Sequence, residues 1–220
     1  MRQIREYIFP TGVRLFSSDG SGGVYSEAGG AMYPTLRYAC EHEKATTRND
    51  KILVAYASRA GSTAGVAEAI SRTLAESGAQ VEVRAMHDVT DLVGYQAVVA
   101  GSAIQGGQWL PEAMQFIQTH RATLAQKPFT AFLVCMTLAI PRADTYRTHV
   151  ATWLEPVRAL VRPLSEGLFA GALDISKVPS FCDRLKFRLS VALGLWSEGD
   201  HRDWKAIRAW AADLTPILAA

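Results

Sequence analysis

The chain has 220 residues, of which 49% are hydrophobic and 20% charged, which suits one globular domain with a sizeable core. A net charge of +2 is too small to argue for a nucleic-acid partner. Three cysteines (Cys40, Cys135, Cys182) without a C-x-x-C, and five histidines without metal-type spacing, speak against a disulfide framework and a metal site, and a reducing cytoplasm is the simplest compartment.

Residues 1–50 differ from the rest. They hold six glycines, little periodicity and balanced charge, with six Lys/Arg against six Asp/Glu. The clusters at Gly20–Gly23 and Gly29–Gly30 read as loop, and Glu41–Asp50 reads as a linker. The expectation is an irregular, poorly ordered extension, or upstream sequence from a misplaced start codon. The alternative is a small module resting on Tyr25, Met32, Tyr33, Leu36 and Tyr38.

From Lys51 the pattern becomes regular. Strands are expected at 51–58, 80–86, 97–102, 129–138 and 168–174, and helices at 64–77, 111–125, 143–162, 181–195 and 202–216. Gly78 stops the first helix, Pro111 opens the second and Pro128 follows it. Strands alternating with helices imply a parallel sheet covered on both faces. The runs at 51–58, 97–102 and 129–138 are continuously apolar, as strands buried on both sides would be. The strand at 80–86 alternates Val81 and Val83 with Glu82 and Arg84, as an outer strand would.

In such a sheet, ligands sit beyond the C-terminal ends of the strands. Three loops fall there: Ser58–Thr63, Ser102–Trp109 and Thr137–Arg142. The first carries hydroxyls from Ser58, Ser62 and Thr63, a glycine at Gly61, and a helix that starts at once. That combination makes a ready phosphate site, because first-turn N–H groups and the helix dipole both favour an anion. Two nucleotide fingerprints are excluded. A Walker loop needs a Gly-Lys pair, which the chain lacks, and the Rossmann pattern needs three glycines where this loop has only Gly61 and Gly65.

Ser58-Arg59-Ala60-Gly61-Ser62-Thr63 instead resembles the FMN phosphate loop of flavodoxins, [ST]-x-[ST]-G-x-T, with Ala60 in place of the middle hydroxyl. The resemblance implies FMN as cofactor, held by hydroxyls and backbone N–H groups. Arg59 is either an extra charged contact or a solvated loop residue. Ser102, Ile104, Gly106, Gly107 and Trp109 match the loop that lies against the flavin ring in that family. Trp109 would either stack on the ring, adding about 1 kcal/mol beyond area burial, or pack on the sheet. Thr137 opens the third loop, which lacks the aromatic cluster of ordinary flavodoxins. Arg142 and Tyr146 follow and could face a substrate, but no residue is nominated as catalytic.

The tail carries a closer resemblance. Gly171–Asp174, the basic apolar stretch Phe181–Val191 and Gly199-Asp200-His201-Arg202-Asp203-Trp204 look like the flavodoxin-domain branch that includes menaquinone-dependent protoporphyrinogen IX dehydrogenase. The likeness spans residues 51 to about 216. It implies a flavodoxin-like three-layer α/β sandwich, strand order 2-1-3-4-5, as an FMN-binding domain over 51–220 behind the irregular segment 1–50. It also implies an FMN-dependent oxidoreductase with a tetrapyrrole or other small substrate and a quinone or other redox acceptor. Two rivals stand beside it: an electron-transfer flavoprotein with no substrate of its own, and an interaction module without FMN.

Residues 177–196 set Lys177, Arg184, Lys186 and Arg188 against a single acid, Asp183, with apolar residues interleaved. Three uses are open: peripheral contact with the inner face of a membrane, a wall for a large flat apolar substrate, or packing on the chain's own domain. A slightly basic chain argues mildly against a freely diffusing carrier of the usual acidic kind.

Overall fold

The computed structural model describes residues 4–8, 14–18, 24–28, 31–34, 51–140, 143–177, 181–193 and 197–218. The chain divides into two compact units, Met1–Arg48 and Asn49–Ala220. In the first, β1 (Ile4–Ile8), β2 (Arg14–Ser18), β3 (Val24–Ala28) and β4 (Ala31–Pro34) pair in order as an antiparallel meander. An irregular segment is the sequence expectation here. At these strands it gives way to regular pairing, because runs of four or five residues are too short for period-two alternation to register.

The second unit opens with β5 (Lys51–Ala57), then α1 (Ser62–Glu76), the edge strand β6 (Gln80–Ala85), and β7 (Ala97–Gln105) with its short return strand β8 (Gln108–Trp109). There follow α2 (Pro111–Thr119), α3 (Arg121–Leu124), β9 (Phe129–Cys135), α4 (Arg147–Thr152), α5 (Glu155–Arg158) and β10 (Glu166–Ala170). The chain closes with β11 (Ala172–Leu173), α6 (Phe181–Ala192), β12 (Gly199–Asp200) and α7 (Trp204–Leu218). The parallel strands run β6-β5-β7-β9-β10, so the expected order 2-1-3-4-5 is what the sheet adopts.

Alternate residues of the central strands feed two cores. Ile52, Val54, Val99, Phe132 and Val134 meet Val66, Ile70 and Leu74 of α1 and Ile207, Ala211 and Leu214 of α7. Leu53, Ala55, Val98, Ala100 and Leu133 meet Phe116 and Ile117 of α2, Val150 of α4 and Val157 of α5. Each fully buried Leu, Ile or Val contributes about 1.5–3 kcal/mol. Helices on both faces therefore follow from apolar residues at every strand position, as read from the sequence. Gly101 lets the sheet close at its centre, since a Cβ there would lie 1.9 Å from the Phe132 ring.

The departures from the expected elements are local. The helix expected at 143–162 begins with a 3-10 turn (Ala143–Tyr146) and is broken between α4 and α5. Pro156 is the cause, since it lacks an N–H and its ring would clash with the carbonyl four residues earlier. The helix expected at 111–125 divides at His120. The strand expected at 129–138 ends at Cys135 and turns into a 3-10 segment, Met136–Ala139. The strand expected at 168–174 breaks at Gly171 into β10 and β11. Among the described residues, no helix is long and apolar enough to cross a membrane.

Candidate functional site

The loop after β5 is shaped by its own side chains. The Gly61 N–H donates to Ser58 Oγ at 3.1 Å, which folds Ser58–Gly61 into a tight turn. Gly61 then takes a left-handed conformation, φ 82°, as the N-cap of α1. A Cβ on Gly61 would meet nothing within 4 Å, so open space lies beside it. No side chain caps α1, and no acid lies in its first turn. Its leading N–H groups are therefore unclaimed by side chains, and its positive end is not neutralised.

Thr63, in that first turn, is 0% exposed, and its hydroxyl has no hydrogen-bond partner. A buried unpaired hydroxyl is costly and uncommon. Ser62 beside it is held from two sides: its Oγ accepts the Ala172 N–H at 2.8 Å, and its carbonyl accepts from Arg202 Nη1 at 3.4 Å. Ser58 and Ser62 each accept an N–H, which leaves their own O–H protons able to point at an anion. Ala60 is half-buried. Arg59 forms an ion pair with Glu112, in the first turn of α2, at 3.3 Å.

The second loop is a tight hairpin. Ile104 pairs with Trp109 and Gln105 with Gln108, across a two-residue turn of Gly106 (φ 60°) and Gly107 (φ 77°). Paired glycines with positive φ suit the turn that matches strand twist. Ser102 is buried, and its Oγ accepts the Leu110 N–H at 3.1 Å, pinning the far end of the hairpin. Trp109 is only 4% exposed and packs into the core, its indole N–H without a partner. A ring so covered has no free face, so the packing alternative describes it and the stacking expectation is corrected. Trp153, which sequence reasoning missed, lies at the hairpin tip: a Cβ on Gly107 would be 3.2 Å from its Nε1. It is half-buried and meets His149 edge-on at 5.5 Å. Nothing in one sequence distinguishes it from any other helix tryptophan.

Thr137 lies in the 3-10 segment after β9, half-buried. Tyr146 is 43% exposed, and Arg142 lies outside the described residues. Burial pushes the Cys135 thiol up, which makes it a poor nucleophile. Among the described residues, no three His, Cys, Asp or Glu side chains cluster as a metal site.

The Gly199–Trp204 segment reaches this loop, which the sequence did not reveal. Ala172 pairs with Asp200 and Leu173 with Gly199, and the His201 N–H donates to the Gly171 carbonyl at 3.2 Å. Arg202 grips Asp200 with Nε at 2.7 Å and Nη2 at 2.8 Å, and its guanidinium lies 4.2 Å over the Trp204 ring. That pairing lowers the Asp200 carboxyl to about 2. A Cβ on Gly65 would come within 2.5 Å of Arg202 Nη1, so this position in α1 must stay small for the arginine to reach Ser62. The segment thus straps the first turn of α1.

The order of the sheet, with an uncapped helix after its first strand, defines a flavodoxin-type α/β domain. A family model described as flavodoxin domain matches residues 53–197, and the chain belongs to that family. Among curated proteins, the protoporphyrinogen IX dehydrogenase (quinone) of Escherichia coli strain K12 is 24% identical over 175 residues, covering 76% of this chain and 96% of the relative. The protein of that name from Escherichia coli O157:H7 matches equally. Among solved structures, a flavodoxin from the domain Archaea has a TM-score of 0.44 at 17% identity, covering 77% of this chain and 99% of that one. Oxidised flavodoxin 2 from Bacillus cereus has a TM-score of 0.43 at 24% identity, covering 66% and 99%.

Proposed function

We propose that the chain binds FMN at the head of α1 and acts as an FMN-dependent oxidoreductase, with a tetrapyrrole-like substrate and a quinone as acceptor. The observation that carries the reading is Thr63, a buried hydroxyl without a partner at a helix end without a cap. Leaving such a group unpaired costs about 1–3 kcal/mol. A phosphate oxygen would remove that cost and also take up the first-turn N–H groups.

In this reading Ser58, Arg59, Ala60, Gly61, Ser62 and Thr63 form the phosphate loop. Gly61 opens the backbone, the three hydroxyls donate, and Arg59 stays outside with Glu112 as its partner. Ser102, Ile104, Gly106, Gly107 and Thr137 shape the ring side. Trp109 supports the hairpin from below, and Trp153 supplies the aromatic surface at its tip. FMN, when bound, supplies the redox chemistry, and the chain's own residues bind it, orient it and exclude water. No acid or base is assigned. The substrate and acceptor rest on the Escherichia coli relative's name. A cytoplasmic setting, the remaining part of the proposal, rests on cysteine usage.

The test is anaerobic turnover. Protein loaded with FMN is mixed with protoporphyrinogen IX and a menaquinone analogue, and porphyrin fluorescence is followed. Flavin-dependent appearance of porphyrin supports the proposal. Loaded protein that oxidises no protoporphyrinogen, yet passes electrons to a redox protein, would replace it with a carrier role.

A further inference from the structure

Six large hydrophobic side chains are exposed among the described residues, and three of them stand on one helix. Leu185, Leu189 and Leu193 are 60%, 60% and 66% exposed, on α6 and the residue just after it. Spaced four apart, they form one continuous stripe along about two turns. A stripe of this kind buries nothing within its own unit, and side chains of this size are unusual in such a row on a water-facing helix.

The flank of the stripe is basic. Arg184 and Arg188, also four apart, line a cavity of about 390 Å³ with Ile175, Ser176, Val191 and Glu198. Arg184 Nε is buried without a partner, so one guanidinium donor in this wall is unclaimed. Glu198 is the one acid of the lining, and its carboxylate accepts the Ile175 N–H at 3.2 Å. Two guanidiniums against one engaged carboxylate leave the cavity cationic. A guanidinium fork matches the oxygens of a phosphate.

We propose that α6 docks the protein on a membrane surface of anionic phospholipid. The three leucines enter the boundary between headgroups and acyl chains, and Arg184 and Arg188 take a headgroup phosphate at the cavity. A short helix lying in the surface plane, apolar on one side and basic along its edge, has the architecture of an interfacial anchor. A second copy of the chain is the less fitting occupant, because symmetric pairing of this face would bring each Arg184–Arg188 pair toward its counterpart. The proposal is independent of flavin binding and stands whether or not FMN is held.

The experiment is sedimentation of the full chain with vesicles, one set of phosphatidylcholine alone and one an equimolar mixture with phosphatidylglycerol. Wild type is expected to pellet with the mixed vesicles, weakly with phosphatidylcholine alone, and less as salt is raised. Removing both charges with R184Q/R188Q should cut partitioning to the mixed vesicles roughly 25-fold, about fivefold per basic residue. The triple variant L185S/L189S/L193S should lose binding to both sets while keeping the wild-type circular dichroism and melting profile, since all three side chains are already exposed. Failure of wild type to pellet, or a triple variant that pellets like wild type, would overturn the proposal. So would a wild-type dimer in light scattering that the triple variant makes monomeric, since the face would then join two copies.

Discussion

Replacing Thr63 with Val separates a binding hydroxyl from a structural one. Valine keeps the shape and the β-branch, so the backbone of α1 feels little change. In the flavin-free protein the Thr63 hydroxyl is fully buried and unpaired. Its removal should relieve about 1–3 kcal/mol, which for a chain of this size raises Tm by roughly 2–4 °C per kcal/mol. With FMN present, the same change removes a hydrogen bond to a charged acceptor, worth about 1.5–3 kcal/mol. The Kd for FMN should rise by about 10- to 150-fold. Thermal melts of the apoprotein and fluorescence titration of FMN measure the two halves. Opposite signs are the signature: a more stable apoprotein that binds FMN more weakly. A T63V protein with unchanged FMN affinity, or with a lowered apo Tm, would refute the assignment of Thr63 to the phosphate.

Three further outcomes follow from the geometry. Arg202→Gln removes the clamp on the Ser62 carbonyl and on Asp200; it should weaken FMN several-fold while leaving riboflavin, which lacks the phosphate, unchanged, as read by paired titrations. Gly101→Ala places a methyl group into the Phe132 ring and should lower stability by about 1–3 kcal/mol or more in urea unfolding; an unchanged midpoint would show that the sheet centre can give way. The Asp200 carboxyl, lowered to about 2 by Arg202, contributes stability that is full above its unfolded value near 3.8 and is lost as pH falls toward 2. Amide exchange of the 199–204 strap should therefore be steady down to about pH 4 and rise below it, whereas loosening near pH 6 would contradict the pairing.

The sheet was legible because the apolar runs at 52–57, 97–102 and 129–135 are buried on both faces, a pattern that helices on either side must cover. The phosphate loop was legible for a similar reason: a buried strand, a left-handed glycine and a helix start fall in sequence order, so local chemistry suffices. Residues 143–162 were harder, since helical periodicity persists across Pro156 and masks the break. The hairpin had a signal, the Gly106-Gly107 pair, but not a side for Trp109, whose burial is decided by α2 and the loops around it. The Arg202 strap joins positions 140 residues apart, and no local pattern announces such a contact. The α6 leucines read as apolar in the sequence. Only the fold shows that they are left uncovered.

Calorimetric titration of the purified apoprotein with FMN, and in parallel with riboflavin, tests the central claim most directly. The account predicts one FMN per chain, with riboflavin weaker by on the order of a hundredfold, because the phosphate bonds to Thr63 and the α1 amides are what it lacks. Equal affinity for the two flavins, or no uptake of FMN, would contradict a phosphate site at the head of α1.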